Sequence, residues 1–445
     1  MNLKNKNILV VGLGQHGGGL GVVKYLVQKG AKVRITDLKN KKELQSPLKE
    51  ISNLPIKYTL GRHYQKDFLS CDLIIRNPAV PQNSPYLVKA KKAGIPIEME
   101  IGLFLDQSPS HKIIGITGTK GKTTTAWLIY QILKKQQPAT VIGGNMRLSM
   151  LDLLPNKIKK NSWIVLELSS WQLEGLKNKK FSPPISIITN IYRDHINRYR
   201  TMKKYVQAKE LIFQYQNKND HLILNQNNAW SKKLARKAKG EICFFDAEQV
   251  PYSIKKNAKL KGKHNLANIA AALKVAQILN INPAIAQKAA INFAAIPDRL
   301  EKISQKNNVT FYNDTTATNP SAAQAALKSF NKKPIIWLAG GADKDLHFQQ
   351  LAQTAKKSHI QAVVLLKGSA TAKLQKSLKR YCPNLPLYGP FDNFSRAVRK
   401  AYQLAQANQI ILLSPAAASF GMFKNEFDRG RKFKKIVHSL NEKNK

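Results

Sequence analysis

Cysteine is scarce in this chain, which contains only Cys71, Cys243 and Cys382 among its 445 residues. The three positions lie far apart and form neither a CxxC pair nor a Cys/His spacing. The sequence therefore predicts no zinc site and no disulfide framework. Such a composition fits a reducing compartment, and we expect the protein in the cytoplasm.

Long apolar runs are also missing. No stretch approaches the roughly 18 consecutive apolar residues with which a helix spans a bilayer. The first residues, MNLKNKNILVVGLG, run straight into a buried-strand pattern without the layout of a signal peptide. We therefore expect neither a membrane partner nor export.

Acidic residues are few, since 26 Asp and Glu stand against 73 Lys and Arg, giving a formal net charge of +47. Such an excess is often a sign of nucleic-acid binding. Here the lysines are spread over the whole length, on outer helix faces such as KKLARKAKG and TAKLQKSLKR, without interleaved aromatic residues. We predict no nucleic-acid partner; the charge still attracts polyanionic substrates such as nucleotides at low salt.

Short β-branched runs alternate with longer helical patterns along nearly the whole chain, which predicts an α/β protein with parallel sheets. The length and a hydrophobic content of 43% suit about three domains. Turn signals near residues 108 and 297 divide the sequence into 1–107, 108–297 and 298–445. Strand patterns such as NILVVG, KIIGITG and QIILLSP recur in all three segments.

A glycine-rich turn follows the apolar strand pattern in KIIGITGTKGKTTT, residues 112–125. Gly118 and Gly121 let backbone N–H groups converge on phosphate oxygens, while Lys122 reaches the β- and γ-phosphates and Thr123 is a Mg²⁺ ligand. Position 116 is Ile, so the strict GxxxxGK[ST] spacing fails and the pattern is GTxGKTT. The turn predicts an ATP site that also includes Thr119, Lys120 and Thr124.

A second glycine motif, Gly12-x-Gly14-x-x-Gly17, follows the first strand pattern, and Asp37 closes the next one. Glycines in this spacing with an acid about 20 residues on are typical of a Rossmann-like dinucleotide site. By itself this motif indicates NAD and an oxidoreductase. That interpretation leaves the glycine turn at residues 118–121 unexplained.

The order of several segments resembles the Mur ligase family over nearly the full length. The similar segments are GTKGKTT at 118–124, ELSSWQLE at 167–174, TNIYRDHINRY at 189–199, KHNLAN at 263–268 and DRLE at 298–301. The resemblance implies a Rossmann-like N-terminal domain, a central P-loop ATPase-like domain with a mixed or parallel sheet, and a Rossmann-like C-terminal domain. It also implies an ATP-dependent ligase that forms an amide bond on a UDP-linked peptidoglycan precursor through an acyl phosphate.

The resemblance assigns roles to individual residues. Two Mg²⁺ ions would be held by Thr123, Glu167, His195 and Lys209, the last as a carbamate, with Lys122, Glu167, His195 and Lys209 as the catalytic set. Besides the phosphate loop, ATP would contact Asn268, Arg299 and Asp314. The UDP-linked substrate would contact Leu13, Gly14, Asp37, Gly144, Asn145 and Ser169.

The amino-acid substrate is the least determined feature. The branch of the family that adds D-glutamate to UDP-N-acetylmuramoyl-L-alanine commonly has D-S-K-A-T-N, where this chain has Asp314-Thr-Thr-Ala-Thr-Asn319. Thr316 therefore replaces an expected lysine, and Thr318, Lys344 and Ser419 become the candidates for binding the amino acid. We expect D-glutamate and a monomer. L-glutamate or another sister ligase is the near alternative, and an NAD-dependent oxidoreductase or a nucleic-acid-binding P-loop protein is remoter.

Overall fold

A computed structural model of the chain describes residues 2–14, 18–145, 149–154, 157–260, 262–293, 296–330, 333–343 and 346–440. It forms two compact units, residues 1–293 and 294–445. The first unit contains two parallel sheets and the second contains one sheet. None of the helices that the structure describes is long and apolar enough to cross a membrane.

The first sheet has five parallel strands in the order β3-β2-β1-β4-β5. Its strands are β1 (Asn7–Val11), β2 (Lys32–Asp37), β3 (Ile56–Leu60), β4 (Leu73–Arg76) and β5 (Ile97–Glu98). Its helices are α1 (Gly18–Gln28), α2 (Gln45–Lys49), α3 (Gln65–Leu69), α4 (Pro85–Lys92) and α5 (Glu100–Gln107). β1 and β4 are almost continuously apolar because helices cover both faces of the sheet.

The second sheet has six parallel strands in the order β11-β10-β9-β6-β8-β7. Its strands are β6 (Ile113–Thr117), β7 (Val141–Gly144), β8 (Ile164–Glu167), β9 (Ile185–Ile188), β10 (His221–Asn225) and β11 (Glu241–Phe245). Its helices are α6 (Lys122–Gln136), α7 (Ser170–Lys179), α8 (Ile196–Tyr199), α9 (Met202–Glu210), α10 (Ser231–Ala235), α11 (Tyr252–Asn257), α12 (Lys263–Ile278) and α13 (Pro283–Asn292), with 3₁₀ turns at Met150–Leu153 and Ala247–Gln249.

The two sheets of the first unit share one apolar core. Ile101 of α5 and Leu173 of α7 belong to the same cluster of buried side chains, together with Ile8 and Leu166 from the two sheets. Burial of apolar surface is the dominant favourable term in folding, so this shared cluster fixes the first sheet against the second. α5, which lies between the two sheets in the sequence, is thereby held in place.

The second unit has a six-stranded sheet in the order β12-β13-β17-β14-β15-β16, in which β12 runs antiparallel to β13 and the other neighbours are parallel. Its strands are β12 (Glu301–Lys306), β13 (Val309–Asn313), β14 (Ile335–Gly340), β15 (Ile360–Leu366), β16 (Leu387–Phe391) and β17 (Ile410–Leu413). Its helices are α14 (Pro320–Lys328), α15 (Gln349–Lys356), α16 (Thr371–Tyr381), α17 (Phe394–Leu404) and α18 (Glu426–His438).

The predicted α/β class with parallel sheets is confirmed, with the single antiparallel strand β12 making the third sheet mixed. The boundaries at residues 107 and 297 stay a prediction. In parallel sheets the carboxyl ends of neighbouring strands lie along one edge, where ligands bind. In the second sheet this edge brings together the residues that follow β6, β8 and β9, since these three strands are adjacent.

Candidate functional site

Residues 118–121 form a tight loop between β6 and α6, and two of its glycines have no room for a side chain. Gly118 has φ +149°, and a Cβ there would lie 1.9 Å from Oγ1 of Thr189. Gly121 has φ +84°, and a Cβ there would lie 2.4 Å from Oδ1 of Asn268. The loop therefore packs its backbone directly against neighbouring side chains, and glycine is required at both positions.

The loop is also hydrogen-bonded to the segment that follows β9. Thr119 N–H donates to the carbonyl oxygen of Asn190 and Lys120 N–H donates to its Oδ1, both at 2.9 Å. α6 begins directly after the loop, at Lys122, and has 15 residues. The first N–H groups of such a helix have no partner within the helix and attract anions. A fixed loop that leads into this helix end has the geometry that phosphate-binding loops use.

Two lysines meet at the loop. The Nζ of Lys122 and the Nζ of Lys209 both donate to the carbonyl oxygen of Gly118, at 3.1 and 3.0 Å. Lys209 is 1% exposed, and its ammonium lies over the ring of Tyr205. Burial and, to a smaller extent, the charge of Lys122 lower the pKa of Lys209 to about 7, against the opposing effect of Asp194. Lys209 is therefore an amine that is neutral over part of the physiological pH range.

His195 lies beside this pair, in a left-handed backbone conformation with φ +52°. Its ring contacts Trp171 and Tyr205, with ring centroids 5.7 and 5.9 Å apart. Burial lowers the pKa of His195; Asp194 opposes the shift, and Lys209 is among the lysines that add to it. A neutral imidazole is the form that binds a metal ion.

Glu167 ends β8 and is 2% exposed. Its Oε1 accepts a hydrogen bond from Nδ2 of Asn145 at 3.0 Å, whereas its buried Oε2 has no hydrogen-bond partner among the described residues. A buried carboxylate oxygen without a partner is costly unless a cation or a ligand satisfies it. Together with the hydroxyl of Thr123, on the first turn of α6, this oxygen fits the oxygen-donor set that Mg²⁺ prefers.

A cavity of about 480 Å³ lies in the first unit. Five of the six residues predicted to contact the UDP-linked substrate line it, namely Leu13, Gly14, Gly144, Asn145 and Ser169. Asn145 lines the cavity and also donates to Glu167, so the cavity adjoins the candidate metal site. Ser169 caps α7 through a capping box with Gln172, which fixes this side of the cavity wall.

Asp37 is the exception among those six residues, since it is not among the described residues that line the cavity. Its Oδ2 accepts from the N–H of Leu13 and its Oδ1 from the N–H of Lys39, each at 2.9 Å. Leu13 and Lys39 both line the cavity. In this structure Asp37 therefore fixes the backbone around the cavity, and a direct contact with the UDP-linked substrate stays a prediction.

Glu174 on α7 joins the loop after β4 to the helix after His195. Its carboxylate lies 3.0 Å from Nη2 of Arg76 and 3.4 Å from Nη2 of Arg198. Arg198 also donates to the carbonyl of Pro78, at 2.9 Å, in the loop that lines the cavity. Burial lowers the pKa of Arg76, which is 3% exposed, and the charge of Glu174 counteracts this shift.

We expect Glu174→Gln to lower the free energy of unfolding by about 3 kcal/mol, because it leaves the buried Arg76 guanidinium without its countercharge. Urea denaturation measures the change. The matched control is Glu210→Gln, which breaks a more exposed ion pair with Lys237 and is expected to cost about 1 kcal/mol or less. Equal losses in the two variants would show that the Glu174 network contributes nothing beyond a surface ion pair.

The predicted ATP contacts are divided between the two units. In the first unit Asn268, on α12, accepts from Oγ1 of Thr125 at 3.3 Å, behind the phosphate loop. In the second unit Asp314 accepts from Oγ of Ser414 at 2.7 Å and from the N–H of Leu300 at 3.2 Å. Burial raises the pKa of Asp314 to about 6, and the nearby Arg299 is among the groups that oppose the shift.

The candidate amino-acid residues belong to the second unit. Ser419 is 2% exposed and its buried Oγ has no hydrogen-bond partner among the described residues. Thr318 is 8% exposed. Thr316, at the position where the sequence comparison led us to expect a lysine, donates through Oγ1 to the carbonyl of Asp298 at 3.0 Å and so serves the local backbone. Lys344 lies outside the described residues.

Some residues of the site were not predicted as contacts. Arg76, Asn77, Glu100 and Trp171 all line the cavity. Burial raises the pKa of Glu100 to about 7, against the effect of a hydrogen bond from Ser149. Trp171 lies within the ELSSWQLE segment, which was a usable signal. Glu100 had none, because its partners lie about fifty positions away in sequence.

Comparisons with known proteins identify the family to which the domains of this chain belong. Three family descriptions match successive parts of the chain: the Mur ligase MurD-like N-terminal domain at residues 6–99, the Mur ligase middle domain at 116–252 and the Mur ligase glutamate ligase domain at 298–417. Among solved structures, the UDP-N-acetylmuramate-alanine ligase of Thermotoga maritima matches with a TM-score of 0.55 at 20% identity, covering 98% of this chain and 100% of that one. This likeness concerns the fold.

Curated relatives are similar over the whole length. The UDP-N-acetylmuramoylalanine–D-glutamate ligase of Roseiflexus sp. is 42% identical, covering 99% of this chain and 100% of the relative. The proteins of the same name from Borreliella afzelii and Clostridioides difficile are 37% and 33% identical, again over at least 98% of this chain. These matches, which extend over nearly the whole chain, show that this chain belongs to the Mur ligase family.

Proposed function

We propose that this protein joins the amino group of D-glutamate to the terminal carboxylate of UDP-N-acetylmuramoyl-L-alanine, with conversion of ATP to ADP and phosphate. The observation that carries the proposal is the position of Asn145, which lines the cavity and donates to Glu167 beside the phosphate loop. A UDP-linked substrate in the cavity can thereby present its carboxylate near the γ-phosphate. The names of the relatives support the choice of substrates.

The reaction has two steps. A carboxylate oxygen of the substrate attacks the γ-phosphorus, the bond to the β,γ-bridging oxygen breaks, and ADP leaves. The amino nitrogen of glutamate then attacks the acyl carbon, the carbon–oxygen bond to phosphate breaks, and phosphate leaves as the nitrogen loses a proton. Lys122 and the N–H groups at the start of α6 stabilise the charge on the transferring oxygens.

Two Mg²⁺ ions would neutralise charge on the phosphate oxygens when bound. We propose Thr123 and Glu167 for the first ion, which the unpartnered Oε2 of Glu167 supports. For the second we propose His195 and a carbamate on Lys209. Carbamate formation requires a neutral amine, and the lowered pKa of Lys209 meets this requirement.

The remaining residues would bind the ends of the two smaller substrates. Asn268, Arg299 and Asp314 are proposed to bind ATP, and Gly118 through Thr124 its phosphates. Thr318, Lys344 and Ser419 are proposed for the amino acid, and the unpartnered buried hydroxyl of Ser419 supports its place in this set.

Phosphate release measured with ATP, UDP-N-acetylmuramoyl-L-alanine and single amino acids tests the function. We expect release only when all three substrates and Mg²⁺ are present. Release that does not depend on the UDP-linked substrate contradicts the proposal. Reduction of NAD with the same substrates would instead favour the oxidoreductase alternative, which the glycine turn at residues 12–17 left open.

We expect D-glutamate to support phosphate release and L-glutamate, at matched concentration, to give about tenfold less, because the proposed site would hold both carboxylates of the amino acid and so distinguish the two enantiomers. Lys344→Ala should raise the KM for D-glutamate by about tenfold, since a charge-assisted hydrogen bond contributes about 1.5–3 kcal/mol. A preference for L-glutamate would overturn the stereochemical assignment and leave the ligase activity standing. An unchanged KM removes Lys344 from the amino-acid site.

A further inference from the structure

Three side chains of types that can ligate a metal ion meet at the edge of the second sheet, away from the loop at residues 118–121. His221 begins β10 and Glu241 begins the neighbouring edge strand β11, and the two residues are direct partners in the parallel register. Cys243 lies two positions beyond Glu241, and successive side chains of a strand point to opposite faces, so both point to one face. The pairing of β10 with β11 thus brings His221 together with Glu241 and Cys243 from the next strand.

The distances within this group suit one small ion. Nδ1 of His221 lies 3.3 Å from Oε2 of Glu241, and Sγ of Cys243 lies 4.0 Å from Oε1 of Glu241. All three donor atoms lie within 4.8 Å of one another. Tetrahedral zinc with bonds of about 2.0–2.3 Å separates neighbouring donors by about 3.3–3.6 Å. Small side-chain rotations therefore bring all three donors to one ion.

The imidazole of His221 supplies a second, independent observation. Its Nδ1 is buried and makes no hydrogen bond with any described residue, although a carboxylate oxygen lies 3.3 Å away. The pair therefore has the spacing of two ligands of one ion without the geometry of a hydrogen bond. A buried ring nitrogen without a partner is costly, and a metal ion would satisfy it.

We propose that His221, Glu241 and Cys243 bind one Zn²⁺ ion, with water as the fourth ligand. Thiolate and imidazole are ligands that Zn²⁺ prefers, whereas Mg²⁺ prefers oxygen donors. Glu241 is 65% exposed in its side chain, so solvent reaches the open position. The ion would tie the edge strand β11 to β10 and serve a structural role.

The site is distinct from the catalytic metal positions. His221 and Glu241 stand at the amino ends of their strands, whereas the phosphate loop follows the carboxyl end of β6 in the same parallel sheet. The two sites therefore lie at opposite ends of the strands of this sheet. Burial, with Glu241 adding to it, raises the pKa of Cys243, whereas the charge of Lys274 of α12 opposes this shift. Binding of the ion thus releases the thiol proton.

Cobalt substitution tests the proposal, using the untagged full chain in excess Mg²⁺ with Co²⁺ alone as the probe. A thiolate bound to Co²⁺ gives a near-ultraviolet charge-transfer band, and the chain has only three thiols. We expect one equivalent of Co²⁺ to produce the band and Zn²⁺ to abolish it. Cys243→Ser should lose the band, whereas the control Cys382→Ser, which removes another half-buried thiol, should keep it.

Two further variants distinguish a three-ligand site from a reactive thiol. His221→Gln and Glu241→Gln should each weaken Zn²⁺ binding, measured by competition with a chromophoric chelator, by about tenfold or more. Phosphate release should be unchanged in both variants. The zinc affinity is measured without the ligase reaction, so it remains a valid test of this site even if the proposed ligase activity fails. Absence of the band in the wild type, its persistence in Cys243→Ser, or unchanged affinity in His221→Gln would each overturn the site.

Discussion

Lys122→Ala is expected to lower the rate of phosphate release by about 100-fold or more, since removal of one preorganised donor to a developing charge typically has this effect. The loss should appear mainly in kcat, because the interaction strengthens in the transition state. The fold should survive, as the carbonyl of Gly118 keeps its hydrogen bond from Lys209 at 3.0 Å. Steady-state kinetics and circular dichroism measure both effects.

The control for this variant is Lys135→Ala, which removes an exposed lysine from the last turn of the same helix. It should leave the rate unchanged. Retention of more than about a tenth of the wild-type rate in Lys122→Ala would contradict the phosphate-site assignment, because electrostatic contacts of this kind contribute far more.

Lys209→Ala is expected to lower phosphate release by about 100-fold, because it removes the proposed carbamate that positions a metal ion. Acetate or propionate should restore part of the activity by occupying the vacated space, whereas neither should rescue Lys122→Ala. Lys203→Ala, at an exposed position of the same helix, is the matched control and should be fully active.

The carbamate itself can be measured by ¹³C NMR with labelled bicarbonate. Burial lowers the pKa of Lys209 to about 7, so the amine is protonated and unreactive below that pH and neutral above it. Carbamate occupancy should therefore rise as the pH increases through about 7. Normal activity of Lys209→Ala, or a wild-type spectrum without a carbamate signal, would remove the modification from the proposed mechanism.

The sequence was sufficient to predict the central strands of the three sheets and insufficient to predict most of the edge strands. β1, β4, β6 and β14 are buried on both faces, so their runs of apolar residues are continuous. The strands without a clear pattern are β3, β5, β7, β12 and β16, and each of them lies at an edge of its sheet. An edge strand has fewer neighbours and needs fewer apolar side chains, so its pattern is weaker.

Whether a part of the site could be predicted depended on how close its residues lie in the sequence. The phosphate loop could be predicted because its strand, glycines, lysine and hydroxyls are contiguous in sequence. The ion pair between Arg76 and Glu174 spans 98 positions, and the register that joins His221 to Glu241 depends on strand pairing. Neither contact leaves a spacing signature, so only the folded chain reveals it.

The close contact between Gly121 and Asn268 limits which residues can replace either one. A side chain at position 121 would meet Oδ1 of Asn268 at 2.4 Å and would also strain a backbone with φ +84°. Replacing Asn268 by a smaller residue would relieve only the collision and would remove the acceptor for Thr125. We therefore expect a side chain at position 121 to be destabilising, and shortening Asn268 does not compensate for it, although the two positions lie 147 apart in sequence.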